Sequence, residues 1–94
     1  MMSLLTANRG RRARFELAAE PGSQVFVAGT FNRWNPTANP LKDNPERGRF
    51  KTAFHVPKGT QEYKFVVNGE WRVDPNCPES APNDQGSVNS VISV

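Results

Sequence analysis

The stretch EYKFVVNGEWRVD, Glu62 to Asp74, decides how this chain folds. Two strand-forming runs flank Asn68-Gly69, and a type I′ turn needs positive φ at both central positions, which Asn and Gly tolerate best. A two-residue loop then fixes the register: Val67 faces Glu70, Val66 faces Trp71, Phe65 faces Arg72 and Lys64 faces Val73. Directly paired residues point to the same side of a sheet. Lys64, Val66, Trp71 and Val73 therefore share one face, and Tyr63, Phe65 and Val67 share the other. The aromatic bulk of the second set assigns it to the core. Trp71 is then expected on the outer face, a diagonal step from Lys64. A three-residue loop would instead set Trp71 opposite Val67 and bury it, so this turn governs function as well as fold.

The same alternation extends outward through Ala13–Ala19, Gln24–Gly29, Arg49–Val56 and Ser87–Val94, each bounded by turn residues. Phe50, Thr52, Phe54 and Val56 take one parity, and Lys51, Ala53 and His55 the other. No segment longer than ten residues keeps a helical period. Eight Pro and seven Gly are scattered between the runs as punctuation, so the 94 residues read as one all-β domain. The expected architecture is an antiparallel β-sandwich of about seven strands, with a closed barrel as the competing arrangement. The longest apolar run, Val25 to Ala28, is far shorter than the roughly 18 residues of a membrane-spanning helix.

Net charge is +3, but its placement matters more than its size. Arg9, Arg11, Arg12 and Arg14 fall within the first fourteen residues, whereas from Phe15 onward eight basic residues face nine acidic ones. Residues 1–13 are thus expected to form a basic, flexible tail and residues 14–94 the domain. The start lacks the apolar core of a secretory signal, although an Arg-rich, acid-poor opening is shared with organelle transit peptides. A single cysteine, Cys77, allows no internal disulfide and fits a reducing, cytoplasmic setting.

Catalytic and metal chemistry lack their residues. His55 is the only histidine and falls on a strand, with no second histidine or Cys-x-x-Cys to make a metal site. Cys77 sits in DPNCPESAPND with no neighbouring base or cation to activate a thiolate. Glu70 and Asp74, four apart on a strand, lie about 13 Å from each other, beyond the ~5–9.5 Å of a glycosidase pair. Neither GTFNRW nor GSVNSV has the spacing or the lysine of a phosphate loop. The expectation is a non-enzyme without cofactor or metal.

Two tryptophans remain, each in a polar setting: Trp34 in GTFNRWNP and Trp71 in NGEWRVD. Both could cap the edge of a core. The alternative is a pair of flat platforms for pyranose rings, whose axial hydrogens form an apolar face while the rim carries hydroxyls for Lys64, Ser87 and Asn89 to bind. Nucleobases could stack on the same platforms.

The segments VFVAGTFNRWNP, PKGTQEYKFVVNGEWRVDP and GSVNSVISV, in that order, closely resemble the glycogen-binding domains of AMP-activated protein kinase β subunits. They also resemble the starch-binding modules of isoamylase-type enzymes, all within carbohydrate-binding module family 48. The resemblance covers roughly Arg14 to Val94 and implies an early-set, immunoglobulin-like sandwich that binds α-1,4-linked glucan. It implies stacking roles for Trp34 and Trp71, a sugar contact for Lys64, and polar contacts for Ser87 and Asn89. Gln85 stands where the kinase-type domains carry a leucine that probes into the coil of a bound glucan; it joins the expected sugar-contact residues, and whether a preference for helical glucan carries over is left open. The loop from Pro36 to Gly48 is also longer than in the kinase version.

The function expected is free-standing, non-catalytic binding of glycogen, starch or maltooligosaccharides, alone or in aid of a glucan-metabolising enzyme in trans. A sugar-silent scaffold module assisting a glucan-active enzyme or kinase is the alternative. An oligonucleotide binder using the Arg tail is the third class, and membrane partners are not expected.

Overall fold

Alternation of buried and exposed side chains is clearest in the first strand and holds through most of the fifth. The computed structural model describes residues 10–94. Its strands are β1 (Arg11–Ala18), β2 (Val25–Gly29), β3 (Lys42–Asn44), β4 (Arg49–Val56), β5 (Thr60–Val67), β6 (Glu70–Arg72), β7 (Ser80–Pro82) and β8 (Val88–Ser93), with one 3-10 turn at Thr30–Asn32. In β1, Ala13, Phe15 and Leu17 are buried while Arg12, Arg14 and Glu16 are exposed, the period of two that a half-buried strand requires.

All pairings between strands are antiparallel and fall into two sheets. One is ordered β1-β4-β3; the other is β2-β5-β8-β7, with β6 also paired to β5. Strand β5 organises the second sheet. One edge pairs with β2, and the other is divided, Thr60–Tyr63 bonding β8 and Phe65–Val67 bonding β6. Phe15, Leu17, Phe50 and Val56 from the first sheet meet Val25, Val27, Tyr63, Phe65 and Val67 from the second in one core. Phe15 reaches across it, edge to Tyr63 at 5.0 Å between ring centroids, and stacks on Phe54 of its own sheet at 5.3 Å. Because the sheets pack face to face and share no ladder, the architecture is a sandwich and not a barrel.

The deciding turn forms as the sequence predicts. Asn68 and Gly69 both adopt left-handed backbone, φ 51° and 84°. Val67 pairs with Glu70, Val66 with Trp71 and Phe65 with Arg72. The ladder stops there, two residues short of the expected Asp74. Asp74 is committed elsewhere: its N–H donates to Ser90 Oγ at 2.9 Å, and its carboxylate accepts the Tyr63 hydroxyl at 2.6 Å. Glu70 instead pairs with the exposed Arg72 guanidinium at 2.8 Å.

Two further strands were not expected, which brings the count among the described residues to eight. β3 and β7 have three residues each and occupy sheet edges, where Pro82 of β7 can be tolerated. The long loop after Trp34 connects the layers, as the β1–β2 and β4–β5 links also do. Pro40 bridges Phe26, and Leu41 N–H donates to the Val25 carbonyl at 2.8 Å, covering the free edge of β2 before the chain crosses to the other sheet as β3. Strand β1 begins at Arg11, so Arg11 and Arg12 are paired strand residues and not part of a tail. The remainder of the expected tail, residues 1–9, lies outside the described residues.

Burial first, and the Asp74 hydrogen bond second, push the Tyr63 phenol well above its ordinary value. The folded state thus favours the neutral phenol. This stabilisation is complete below the unfolded pKa of about 10 and is lost as pH rises beyond it. Tyr63 is the only tyrosine. Tyrosinate absorbance near 295 nm is expected to appear only together with loss of tertiary structure in an alkaline titration. A phenol titrating near 10 in the folded protein would contradict the buried Tyr63–Asp74 bond.

Candidate functional site

The outer face of the five-stranded sheet is where the polar and aromatic residues gather. On β5, Glu62, Lys64 and Val66 point away from the core side chains Tyr63, Phe65 and Val67. Register aligns Phe26, Val66 and Trp71 in one row across β2, β5 and β6. Val66 in the middle of that row is buried, while Trp71 at its end is 44% exposed.

Trp34 reaches the same face by a different route. After Gly29 the chain makes the single 3-10 turn, and then Arg33 and Trp34 both take left-handed backbone, φ 59° and 58°. Each such non-glycine residue costs about 1–2 kcal/mol. Asn32 offsets that strain from inside the loop: its Oδ1 accepts the Gly29 N–H at 3.0 Å, and its Nδ2 donates to the Val27 carbonyl at 3.1 Å and to Asn39 Oδ1 at 2.6 Å. The Trp34 N–H closes the turn on the Gly29 carbonyl at 2.9 Å. A side chain at Gly29 is excluded, since a Cβ would lie 2.5 Å from the Glu62 carbonyl oxygen. Trp34 is left half-buried, with its indole on the groove.

The groove is an open cleft of about 840 Å³, and Trp34, Lys64, Trp71, Gln85 and Asn89 all line it. Ser87, exposed, joins them through Lys64, whose Nζ donates to Ser87 Oγ at 3.1 Å. Lys64 keeps two further N–H donors for a ligand. Of the six residues that the sequence singled out, five line one cleft and the sixth, Ser87, adjoins it through Lys64. Asn89, by contrast, is only 7% exposed. Its side chain is held at both ends, Oδ1 accepting Asn83 Nδ2 at 3.1 Å and Nδ2 donating to Glu62 Oε1 at 2.9 Å. One N–H and one lone pair remain for a ligand.

Sequence reasoning missed Thr30, Glu62, Pro82, Asn83 and Asp84, which complete the lining. The outward parity of Glu62, shared with Lys64, was the available signal. Nothing local marked Asn83 or Asp84. Glu70 and Asp74 do not form a carboxylate pair, because each is bound to a different partner. Cys77 packs against the core with its Sγ bonded to the Val91 carbonyl at 3.2 Å, a structural role. Among the described residues no cluster of His, Cys, Asp and Glu could hold a metal ion, and no helix is long and apolar enough to cross a membrane.

Replacement of Asn32 by Ala removes the three hydrogen bonds that its side chain makes in the Trp34 loop. With net contributions of about 1 kcal/mol each, the expected loss of stability is roughly 2–3 kcal/mol. Indole emission of the folded variant should shift toward that of exposed tryptophan. An unaltered midpoint in urea would show that Asn32 does not hold this loop.

Comparison with known proteins shows the family. The 5'-AMP-activated protein kinase subunit beta-2 of Mus musculus is 33% identical over 76 residues, 81% of this chain and 27% of that protein. The Homo sapiens beta-2 subunit shows the same identity over the same length, 26% of its own chain. The Sus scrofa beta-1 subunit is 33% identical over 73 residues, 78% of this chain and 56% of that protein. The chain therefore spans about a quarter of the length of the beta-2 relatives it matches. The family model described as the glycogen recognition site of AMP-activated protein kinase matches residues 14–94, which takes in both tryptophans, Lys64 and the whole cleft, and the chain belongs to that family.

Proposed function

We propose that this domain is a non-catalytic glycogen-binding module that holds α-1,4-linked glucan against Trp34 and Trp71. The observation that carries the reading is the convergence of two indoles and the Lys64 ammonium on one open cleft, from the Trp34 loop and the β5–β6 hairpin. Apolar faces of glucose units stack on the indoles. Lys64 and Ser87 bond hydroxyls at the rim, and Asn89, fixed by Asn83 and Glu62, offers its remaining donor and acceptor. Starch and maltooligosaccharides present the same linkage and fall within the reading.

If each indole removes about 100 Å² of apolar surface from water, the pair contributes of the order of 5 kcal/mol before immobilisation costs are subtracted. Binding of a single short oligosaccharide is then weak, roughly micromolar to millimolar, and retention on polymeric glucan is stronger because many sites lie close together. The natural role that follows is adhesion, bringing a glucan-active enzyme in trans to its polymer. A native gel cast with glycogen tests this. Retarded migration is expected and should be nearly insensitive to salt, because the sugar is neutral. Mobility equal to that in a glycogen-free gel would overturn the proposal.

A further inference from the structure

The outer face of the three-stranded sheet, turned away from the cleft, carries charge that glucan binding does not use. Parity on β1 places Arg12, Arg14 and Glu16 outward, and all three are exposed. Register sets Arg12 beside His55, Arg14 beside Ala53, and Lys51 between Glu16 and Lys42. One carboxylate answers this basic set. Glu16 accepts a hydrogen bond from Arg49 at 2.8 Å, and that bond holds its carboxyl below the ordinary value. Among the described residues Arg12, Arg14, Lys42 and Lys51 have no carboxylate within salt-bridge distance. Lys42 and Lys51 stand directly opposite each other, an arrangement that destabilises a sheet. The fold gains nothing from this pair.

We propose that this face docks an acidic surface of a partner protein. With neighbouring strands about 4.8 Å apart, the four cations without a salt bridge form one flat patch suited to several carboxylates at once. Two features favour protein over nucleic acid. The Phe side chains of β1 and β4, Phe15, Phe50 and Phe54, all turn inward to the core, so a single strand would find the His55 imidazole alone on this face, and not the succession of rings that base stacking uses. Glu16 also lies within the patch and would repel a phosphate backbone, whereas a protein surface can set a donor against it. The inference does not depend on glucan binding. Because the two functional faces belong to opposite layers of the sandwich, glucan and partner can be held together.

The test uses the full chain, a fluorescein-labelled octaglutamate peptide and a labelled oligo-dT of twenty nucleotides, read by fluorescence anisotropy. Wild-type protein is expected to bind the peptide in low salt, with affinity falling as salt rises. The Arg14→Glu/Lys42→Glu protein should lose at least tenfold, and Arg14→Gln/Lys42→Gln should fall between. Lys42→Glu alone is expected to raise Tm by about 2 °C, since it turns a repulsive cross-strand pair into an attractive one. Absence of wild-type binding, or equal affinity in the charge-reversed protein, overturns the proposal. Tighter binding of oligo-dT than of peptide, lost in the same variant, would assign the face to nucleic acid. Self-association of the wild type that the charge reversal abolishes would assign it to a second copy of this chain.

Discussion

Trp71→Ala is expected to abolish retardation in glycogen while leaving the fold intact. Trp71 is the middle residue of a short edge strand and is 44% exposed, so its truncation opens no cavity in the core. What it removes is contact with the ligand. About 100 Å² of apolar area at ~25 cal/mol/Å² is worth roughly 2.5 kcal/mol, or about sixtyfold in affinity for a short oligosaccharide. On the polymer the effect compounds, because each site in a multivalent contact is weakened. Trp34→Ala is expected to act as strongly on binding, with some added loss of stability because that indole is half-buried. Thermal unfolding of both variants, measured beside the gel, separates the two effects. A Trp71→Ala protein that unfolds as the wild type does and is still retarded would remove stacking from the account.

Phe65→Ala should have the largest effect on stability. Phe65 is fully buried, lies at the centre of the core and contacts Tyr63 edge to face at 5.7 Å. Large-to-small changes at such positions cost about 3–5 kcal/mol, because the lost transfer energy is joined by that of the cavity. Domains of this size are often stabilised by only about 5–15 kcal/mol, so the expected fall in Tm is roughly 20 °C or more. Phe65 is flanked in sequence by Lys64 and Val66, whose side chains face the cleft side of the sheet. The variant should therefore lose glycogen binding in parallel with folding, unlike Trp71→Ala. A shift in Tm of only a few degrees would mean that the two sheets are not joined through this core.

How much of this was legible in the sequence follows from the range of the interactions that decide each part. The β5–β6 hairpin could be read residue by residue because its turn chemistry is local: Asn68 and Gly69 supply both left-handed positions, and pairing from Val67 to Arg72 follows. Long strands such as β4 announced themselves through alternation. β3 and β7 did not, since three residues give no period and their pairing depends on β4 and β8, which lie elsewhere in the chain. The loop of Trp34 was opaque for another reason. Two consecutive left-handed residues that are neither Gly nor Asn run against local preference, and Asn32 and Asn39 hold them in place through contacts that no motif advertises. Lys64, Trp71, Ser87 and Asn89 could be named from strand parity and family resemblance. The bonds that fix Asn89, to Asn83 and to Glu62, join residues 6 and 27 positions away, and composition does not reveal them. The basic sheet face was misjudged in a simpler way. Arg11 and Arg12 read as tail because a run of charge looks like solvated chain, and only the pairing of β1 with β4 shows them to be strand.

The central claim is that both indoles meet the glucan, and intrinsic fluorescence tests it most directly because Trp34 and Trp71 are the only tryptophans in the chain. Titration of the wild-type protein with maltoheptaose should change emission in a saturable way, and each single Trp→Ala variant should retain part of the change at a weaker apparent affinity. Emission that stays constant up to millimolar maltoheptaose, while glucose polymer still retards the protein in a gel, would place the sugar somewhere other than on these two rings.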